Sequence, residues 1–246
     1  MRQWVRTPKH ILRKKCIEHI SKNWTPDSFI EIGAGAGDIT KLFLQRGFKG
    51  FCYDIGEKTR EILKANLKTF GEKVKVIDSL KTLPFESVEY LFAFEVLEHI
   101  PNDYEALQSW SLFLRKGGKI LISVPAHMSK YSPQDESFGH LRRYEKNGLY
   151  LLLKKTGYKN VSIINYGYPL GNITRRIADM FHIYDVNYQS LSLKERSIRS
   201  GIERAELAYR LSFLFNEWTL IPFIIIQRFF FDLDAGDGYV AMGEKI

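Results

Sequence analysis

Residues 28–38, SFIEIGAGAGD, set a short apolar run directly against three alternating glycines and then an acid. The run reads as a strand. Gly33, Gly35 and Gly37 then allow a tight turn that brings main-chain N–H groups close to any ligand above them. GDITKLFLQRG follows with helical periodicity and stops at Gly47. A buried strand feeding a helix through a glycine turn is the opening of a β-α-β unit, and the unit recurs. Residues 50–55 (GFCYDI) read as a second strand before the helical EKTREILKANLKTFG, residues 73–78 as a third and residues 89–96 as a fourth. NDYEALQSWSLFLRKGG is a helix closed by Gly117, and residues 119–126 are a fifth strand. KNGLYLLLKKTGY is a further helix, and NVSIINYGY (160–168) a sixth strand. This alternation predicts an α/β fold, a parallel sheet with helices on both faces joined by right-handed crossovers.

The flanks follow other patterns. Leu12, Cys16, Ile17, Ile20 and Trp24 recur at helical spacing among basic residues, which predicts an amphipathic helix within residues 1–27. From 169 to 237 the strand-helix alternation breaks into mainly helical sequence, ERSIRSGIERAELAYRLSFLFNEW (195–218) being the clearest piece. GYVAMGEKI (238–246) returns to a strand pattern and is expected to close the sheet beside the sixth strand. The core is therefore expected at 28–168 and 238–246, with 169–237 as a helical cap inserted between the last two of seven strands.

Several classes fall away on composition. Cys16 and Cys52 are far apart and supply neither a metal knuckle nor a disulfide framework, as in a cytoplasmic protein with reduced thiols. The first 20 residues lack an apolar core and a small-residue cleavage site, so no secretory signal is expected. The most apolar stretch, WTLIPFIIIQRFFF (218–231), is too short to span a bilayer and contains Pro222, Gln227 and Arg228. It leaves peripheral membrane contact or a homodimer through 213–231 as readings. A net charge of +8 favours anionic partners, nucleic acid among them.

The glycine loop is G-x-G-x-G, with Asp38 where a dinucleotide fingerprint would have its last glycine and Glu31 two residues before the first. Glu31 suits a cationic amino-acid moiety better than a pyrophosphate. On these residues the chain resembles the class I S-adenosylmethionine-dependent methyltransferases, whose first motif is E/D-x-G-x-G-x-G. The resemblance continues through FEVLEHIPN (94–102) and LRKGGKILISVP (114–125), and covers roughly residues 28–125. It implies a Rossmann-like seven-stranded sheet, S-adenosyl-L-methionine as cofactor and S-adenosyl-L-homocysteine as product. It implies a binding set of Glu31, Gly33, Ala34, Gly35 and Gly37 in the loop. Asp54 and Ile55 would meet the ribose, Asp78, Ser79 and Leu80 the adenine, and Glu95 and Val96 would form the floor.

The acceptor end is expected in ESFGHLRRYEKNGL (136–149). It resembles a G-H-x-R-R-Y-x-x-x-x-L pattern of the subgroup near bacterial ubiquinone and sugar-pathway small-molecule methyltransferases. His140 could take a hydroxyl proton near neutral pH. Arg142 or Arg143 could grip a carboxylate or phosphate, and Tyr144 could hydrogen-bond substrate or cofactor. His99 is the other catalytic candidate. The alternative is that His140 and Arg143 simply pin this loop. Glu95, Glu98 and His99 have a spacing similar to the divalent-cation ligands of some quinone-pathway O-methyltransferases, but relatives carry E-x-L-E-H without a metal, so none is expected here. In the cap, Tyr166, Tyr168, Arg175, Arg176, Tyr184 and Tyr188 could line a substrate pocket. The expected reaction is methyl transfer to an oxygen, or nitrogen, of a small-molecule acceptor such as a natural product, sugar or quinone-like compound. The alternatives are a lipid-linked acceptor at a membrane surface and an RNA. FEVLEH in place of an N-P-P-Y base-methylating motif argues against RNA.

Overall fold

Seven strands form one sheet in the order β3–β2–β1–β4–β5–β7–β6. They are β1 Ser28–Ile32, β2 Lys49–Tyr53, β3 Val74–Ile77, β4 Val88–Phe94, β5 Leu114–Pro125, β6 Tyr158–Tyr166 and β7 Gly238–Lys245. The structure, a computed structural model, describes residues 4–181, 188–203, 209–210 and 212–246. Among the described residues the helices include α1 Pro8–Ser21, α2 Asp38–Gln45, α3 Glu57–Leu67, α4 Asp103–Ser111, α5 Pro133–Phe138, α6 Lys146–Lys155, α7 Leu170–Met180, α8 Leu193–Ile202 and α9 Ile221–Arg228.

Strands β1 and β4 are buried on both faces, which explains why they read as near-continuous apolar runs. Alternate residues serve opposite cores. Ile30, Leu91 and Ile122 pack with Trp110, Leu149 and Leu153 beneath α4 and α6. Phe29, Phe92 and Leu121 pack with Ile17, Phe43 and Leu63 of α1, α2 and α3. Cys16 and Cys52 are buried free thiols.

The expected seven-stranded α/β sheet is present, with one revision at its edge. β7 lies between β5 and β6 and runs antiparallel to both, with Gly238 paired to Pro125 and to Tyr166. The reversal matters for function. It makes β7 begin where β5 and β6 end, so the insertion leaves and re-enters the sheet at its carboxyl edge, beside the glycine turn.

Three local details add to the reading of the sequence. Residues 114–118 belong to β5 rather than to the preceding helix. The 195–218 pattern is not one helix, because Glu203 adopts extended backbone and ends α8. The first part of 136–149 belongs to α5, which closes at Gly139 in the left-handed conformation.

Candidate active site

The carboxyl ends of β1 and β2 are tied by the glycine loop. Gly33 N–H donates to the Tyr53 carbonyl at 2.8 Å, and Gly35 N–H donates to Asp54 Oδ2 at 3.1 Å. Asp54 Oδ1 accepts from Gly56 N–H at 3.0 Å, so the carboxylate is oriented from both sides. Glycine is required at 33, where φ is +71° and a Cβ would stand 2.4 Å from Val96 Cγ2. Below the loop, Glu31 is buried and accepts a 2.6 Å hydrogen bond from Thr40 Oγ1. Burial pushes its carboxyl up to about 7 in spite of Thr40.

Helix α1 closes one side of this loop, and its basic residues face inward. Asp38, the first residue of α2, accepts from Arg6 Nε at 3.0 Å, His10 Nε2 at 3.0 Å and Lys14 Nζ at 2.9 Å. Burial opposes its charge, but these partners, the His10 hydrogen bond foremost, hold it well below the usual carboxylate range. Lys9 lies 2.9 Å from Asp237 and 3.6 Å from Glu95, and Arg13 lies 3.4 Å from Glu95. The basic residues that α1 turns inward are thus paired here with buried carboxylates. Arg13 Nε is buried without a hydrogen-bond partner among the described residues. Glu95 itself sits in the left-handed region at φ +56°, and accepts from Ser123 Oγ at 3.1 Å and Tyr166 Oη at 3.2 Å. A non-glycine residue held there stores strain of the kind that clusters at functional sites.

The opposite end is built by α5 and the segment after it. His140 Nδ1 lies 2.8 Å from Asp135 Oδ1, and Arg143 Nε donates to both Asp135 oxygens at 3.0 and 2.9 Å. Arg143 also donates to the Ala126 carbonyl and to Asp237, each at 3.1 Å. The other ring nitrogen of His140, Nε2, lies 3.7 Å from Glu98 Oε1. His99 is likewise anchored through Nδ1, to the Gly139 carbonyl at 3.1 Å. Burial and the neighbouring His140 push its pKa down to about 3, so His99 is neutral. Glu98 is fully buried, neither of its oxygens has a hydrogen-bond partner among the described residues, and burial pushes its carboxyl well up. One ligand atom each from Glu98, His99 and His140 lies within 4.8 Å of the others, a set that could hold a divalent cation. Glu95 is absent from that set because its oxygens face Lys9 and Arg13.

A cavity of about 980 Å³ joins the two ends. Glu31, Gly33, Ala34, Gly35, Gly37, Asp54, Ile55, Leu80, Glu95 and Val96 line it, as do His99, His140 and Arg143. Asp78 and Ser79 are outside the lining, and the Asp78 side chain is 72% exposed beside Arg60 at 3.1 Å. Tyr144 is also outside, with its hydroxyl donated to Asp103 at 2.9 Å, and Arg142 donates to the same carboxylate at 2.9 Å. These two turn the motif's second half toward α4. Of the cap candidates, Arg175 and Tyr188 line the cavity whereas Tyr166, Tyr168 and Arg176 do not. Tyr184 lies outside the described residues.

Sequence reasoning missed Lys9, His10, Arg13, Asp135, Arg196 and Asp237, all of which line the cavity. Asp135 carried a readable signal, since Ser132-Pro-Gln-Asp135 is a capping box that starts a helix. Lys9, Arg13 and Asp237 carried none, because their ion-pair partners are remote in sequence.

Comparison with known proteins bears on this geometry. A family model described as a methyltransferase domain matches residues 9–163. The ubiquinone biosynthesis O-methyltransferase of Nitrosomonas europaea is 24% identical over 117 residues, covering 46% of this chain and 50% of that protein. The chain spans about half the length of the curated relatives it matches. Phosphoethanolamine N-methyltransferase 2 of Haemonchus contortus, solved with S-adenosyl-L-methionine, superposes with a TM-score of 0.61 at 14% identity, over 95% of this chain and 52% of that one. A SAM-dependent methyltransferase of Archaeoglobus fulgidus superposes with a TM-score of 0.54 at 15% identity, over 94% of each chain.

Proposed function

The chain belongs to the methyltransferase-domain family with the class I fold, and from that premise we propose that it moves a methyl group from S-adenosylmethionine to an oxygen of a small acceptor, with nitrogen as the next choice. The observation that carries this reading is a single cavity lined both by the glycine loop with Asp54 and by a histidine backed by Asp135.

When bound, S-adenosylmethionine supplies an electrophilic methyl group on a sulfonium. The chain's residues bind, orient and exclude water. Asp54, oriented by Gly35 and Gly56, would accept from the ribose hydroxyls. Glu31 would hold the ammonium of the amino-acid moiety and the Nε of Arg13 its carboxylate. Val96 and Leu80 would flank the base. At the far end His140 Nε2 takes the acceptor's proton as the oxygen attacks, while Asp135 holds the ring and stabilises the imidazolium formed. Arg143 fixes Asp135 and so positions the base rather than touching substrate. The inward turn of the α1 cations favours a small acceptor over RNA.

The test is release of S-adenosylhomocysteine in the presence of phenols, catechols, hydroxy acids, sugars and amines. Acceptor-dependent release with retained binding of the cofactor supports the reading. Binding without turnover on every class would sink it.

The Glu98–His99–His140 set favours a second reading, in which a divalent cation orients the acceptor oxygen. Chelation separates the two. Turnover unchanged by EDTA supports His140 as base, and turnover lost and restored by added Mg²⁺, Mn²⁺ or Zn²⁺ supports the cation.

A further inference from the structure

Helix α8 lines the cavity along its length. Its first turns sit on the segment that carries the base. A Cβ on Gly139 would stand 2.8 Å from the Leu193 carbonyl oxygen and 3.1 Å from Arg196 Cβ. Its later turns sit on the cofactor end, where a Cβ on Gly56 would stand 2.9 Å from Ile198 Cγ2 and Gly201 lies against Gly35. Arg196 therefore stands beside Gly139 and His140, at the acceptor end rather than against the glycine loop.

Arg196 is fixed there without a counter-charge. Its Nε donates to the Leu191 carbonyl at 3.0 Å and its Nη1 to the Glu136 carbonyl at 3.3 Å. The guanidinium lies over the Tyr188 ring, 4.8 Å from the centroid. These contacts leave Nη2 without a hydrogen bond, and no carboxylate is within ion-pair distance of Arg196 among the described residues.

The neighbouring cavity cations differ in this respect. Lys9, Arg13, Arg143 and Arg175 each stand 2.9 to 3.4 Å from Asp237, Glu95 or Asp135. Arg199 stands 3.0 Å from Glu203. Lys194, one turn before Ile198, also lines the cavity and forms no ion pair among the described residues. Glu136 and Glu195, the acids nearest to it and to Arg196 in sequence on α5 and α8, are exposed and lie outside the cavity lining. Glu136 accepts from the Tyr188 hydroxyl at 2.9 Å, and Glu195 accepts from Ser192 at the start of α8.

A half-buried guanidinium with a free edge and no carboxylate is an incomplete ion pair, and its fork matches a carboxylate or a phosphate. The sequence suggested Arg142 or Arg143 for that grip, but Arg142 is bound to Asp103, and Arg143 to Asp135 and Asp237. We infer that Arg196 takes this role and reads an anionic group, a carboxylate or a phosphate, on the acceptor. Phe138, Tyr188, Leu191 and Leu193 line the same end, so an apolar or aromatic body carrying the anion fits there. That the bound anion is an acceptor rests on the methyl-transfer reading; the anion site itself does not.

The experiment is calorimetric titration of the full chain, saturated with S-adenosylhomocysteine, with benzoate, phenyl phosphate and benzamide. At least one anion should bind ~tenfold or more tighter than the neutral amide. The preference should fall to within about threefold in Arg196→Gln and return in part in Arg196→Lys, which keeps the charge without the fork. A role in packing alone would weaken all three ligands alike and leave the ratio unmoved. The tighter of the two anions decides between carboxylate and phosphate. No preference in the wild type, binding of none of the three included, overturns the proposal, as does a preference that survives Arg196→Gln. So does a tenfold loss of S-adenosylhomocysteine affinity in Arg196→Gln, which would place the guanidinium on the cofactor's own carboxylate. If the anions bind as expected while no hydroxylated anion is methylated, the anion site stands and the methyl-transfer reading fails.

Discussion

The carbonyl oxygen of Gly201 stands 3.2 Å from the position a Cβ on Gly35 would take. Helix α8 therefore lies directly over the glycine loop, and the two are fitted to each other at backbone distance. Gly35 also has φ +54°, which costs a side chain of order 1 kcal/mol or more. Gly35→Ala should weaken binding of S-adenosylmethionine by at least ~tenfold, because loop and cap must part to admit the methyl group. Calorimetric titration reads this. An unchanged affinity would mean the loop is not the cofactor cradle.

Asp135 and His140 are expected to act as one unit. His140→Ala should lower kcat by ~10²–10⁴-fold with cofactor affinity retained. Asp135→Asn should lower it through ring orientation, and the double variant should be little worse than His140→Ala alone. Additive losses would mean Asp135 serves only to anchor Arg143.

How much of this was visible beforehand depends on the range of the interaction. The glycine loop and Asp54 follow from local order, since each lies at the end of a strand in an alternating pattern, and His140 follows from the motif read after the fifth strand. Asp135 could have been found from its capping box. The inward turn of Lys9, Arg13 and Lys14 could not, because helical periodicity marks the apolar stripe of α1 and is silent on which acids its cations will meet. Asp38, Glu95 and Asp237 come to α1 from three separate segments. The reversed β7 was hidden for a like reason: strand periodicity carries no direction. The fate of Tyr144 depended on Asp103, 41 residues away in sequence.

Asp54 and Asp78 end neighbouring strands and look alike in sequence, but their surroundings separate them. Asp54 is buried in the cavity wall and held by two backbone N–H groups, whereas Asp78 is exposed beside Arg60. Losing charge-assisted hydrogen bonds costs ~1.5–3 kcal/mol, so Asp54→Ala should weaken cofactor binding by roughly tenfold to a hundredfold. Asp78→Ala should stay within about twofold, since its charge is screened by solvent. Equal effects would place the adenine nearer Asp78 than the cavity lining does.

Glu31 gives the chain a signature in pH. Its folded pKa of about 7 lies above the ordinary 4.5, so between those values the folded state binds more protons than the unfolded one. Stability from this group is therefore full below about 4.5, declines as pH rises through that window, and is lowest above about 7. His99, whose pKa falls to about 3, has the opposite slope, its contribution being lost as pH falls below the ordinary 6.5. Comparison with Glu31→Gln isolates the carboxyl, because His99 is common to both proteins. Denaturant unfolding from pH about 5 to about 8 should show wild type losing stability relative to Glu31→Gln as pH rises. Saturating S-adenosylmethionine should flatten the difference, since a cation beside Glu31 favours its ionised form. A difference independent of pH would mean Glu31 is ionised throughout, and a slope untouched by the cofactor would place the ammonium elsewhere.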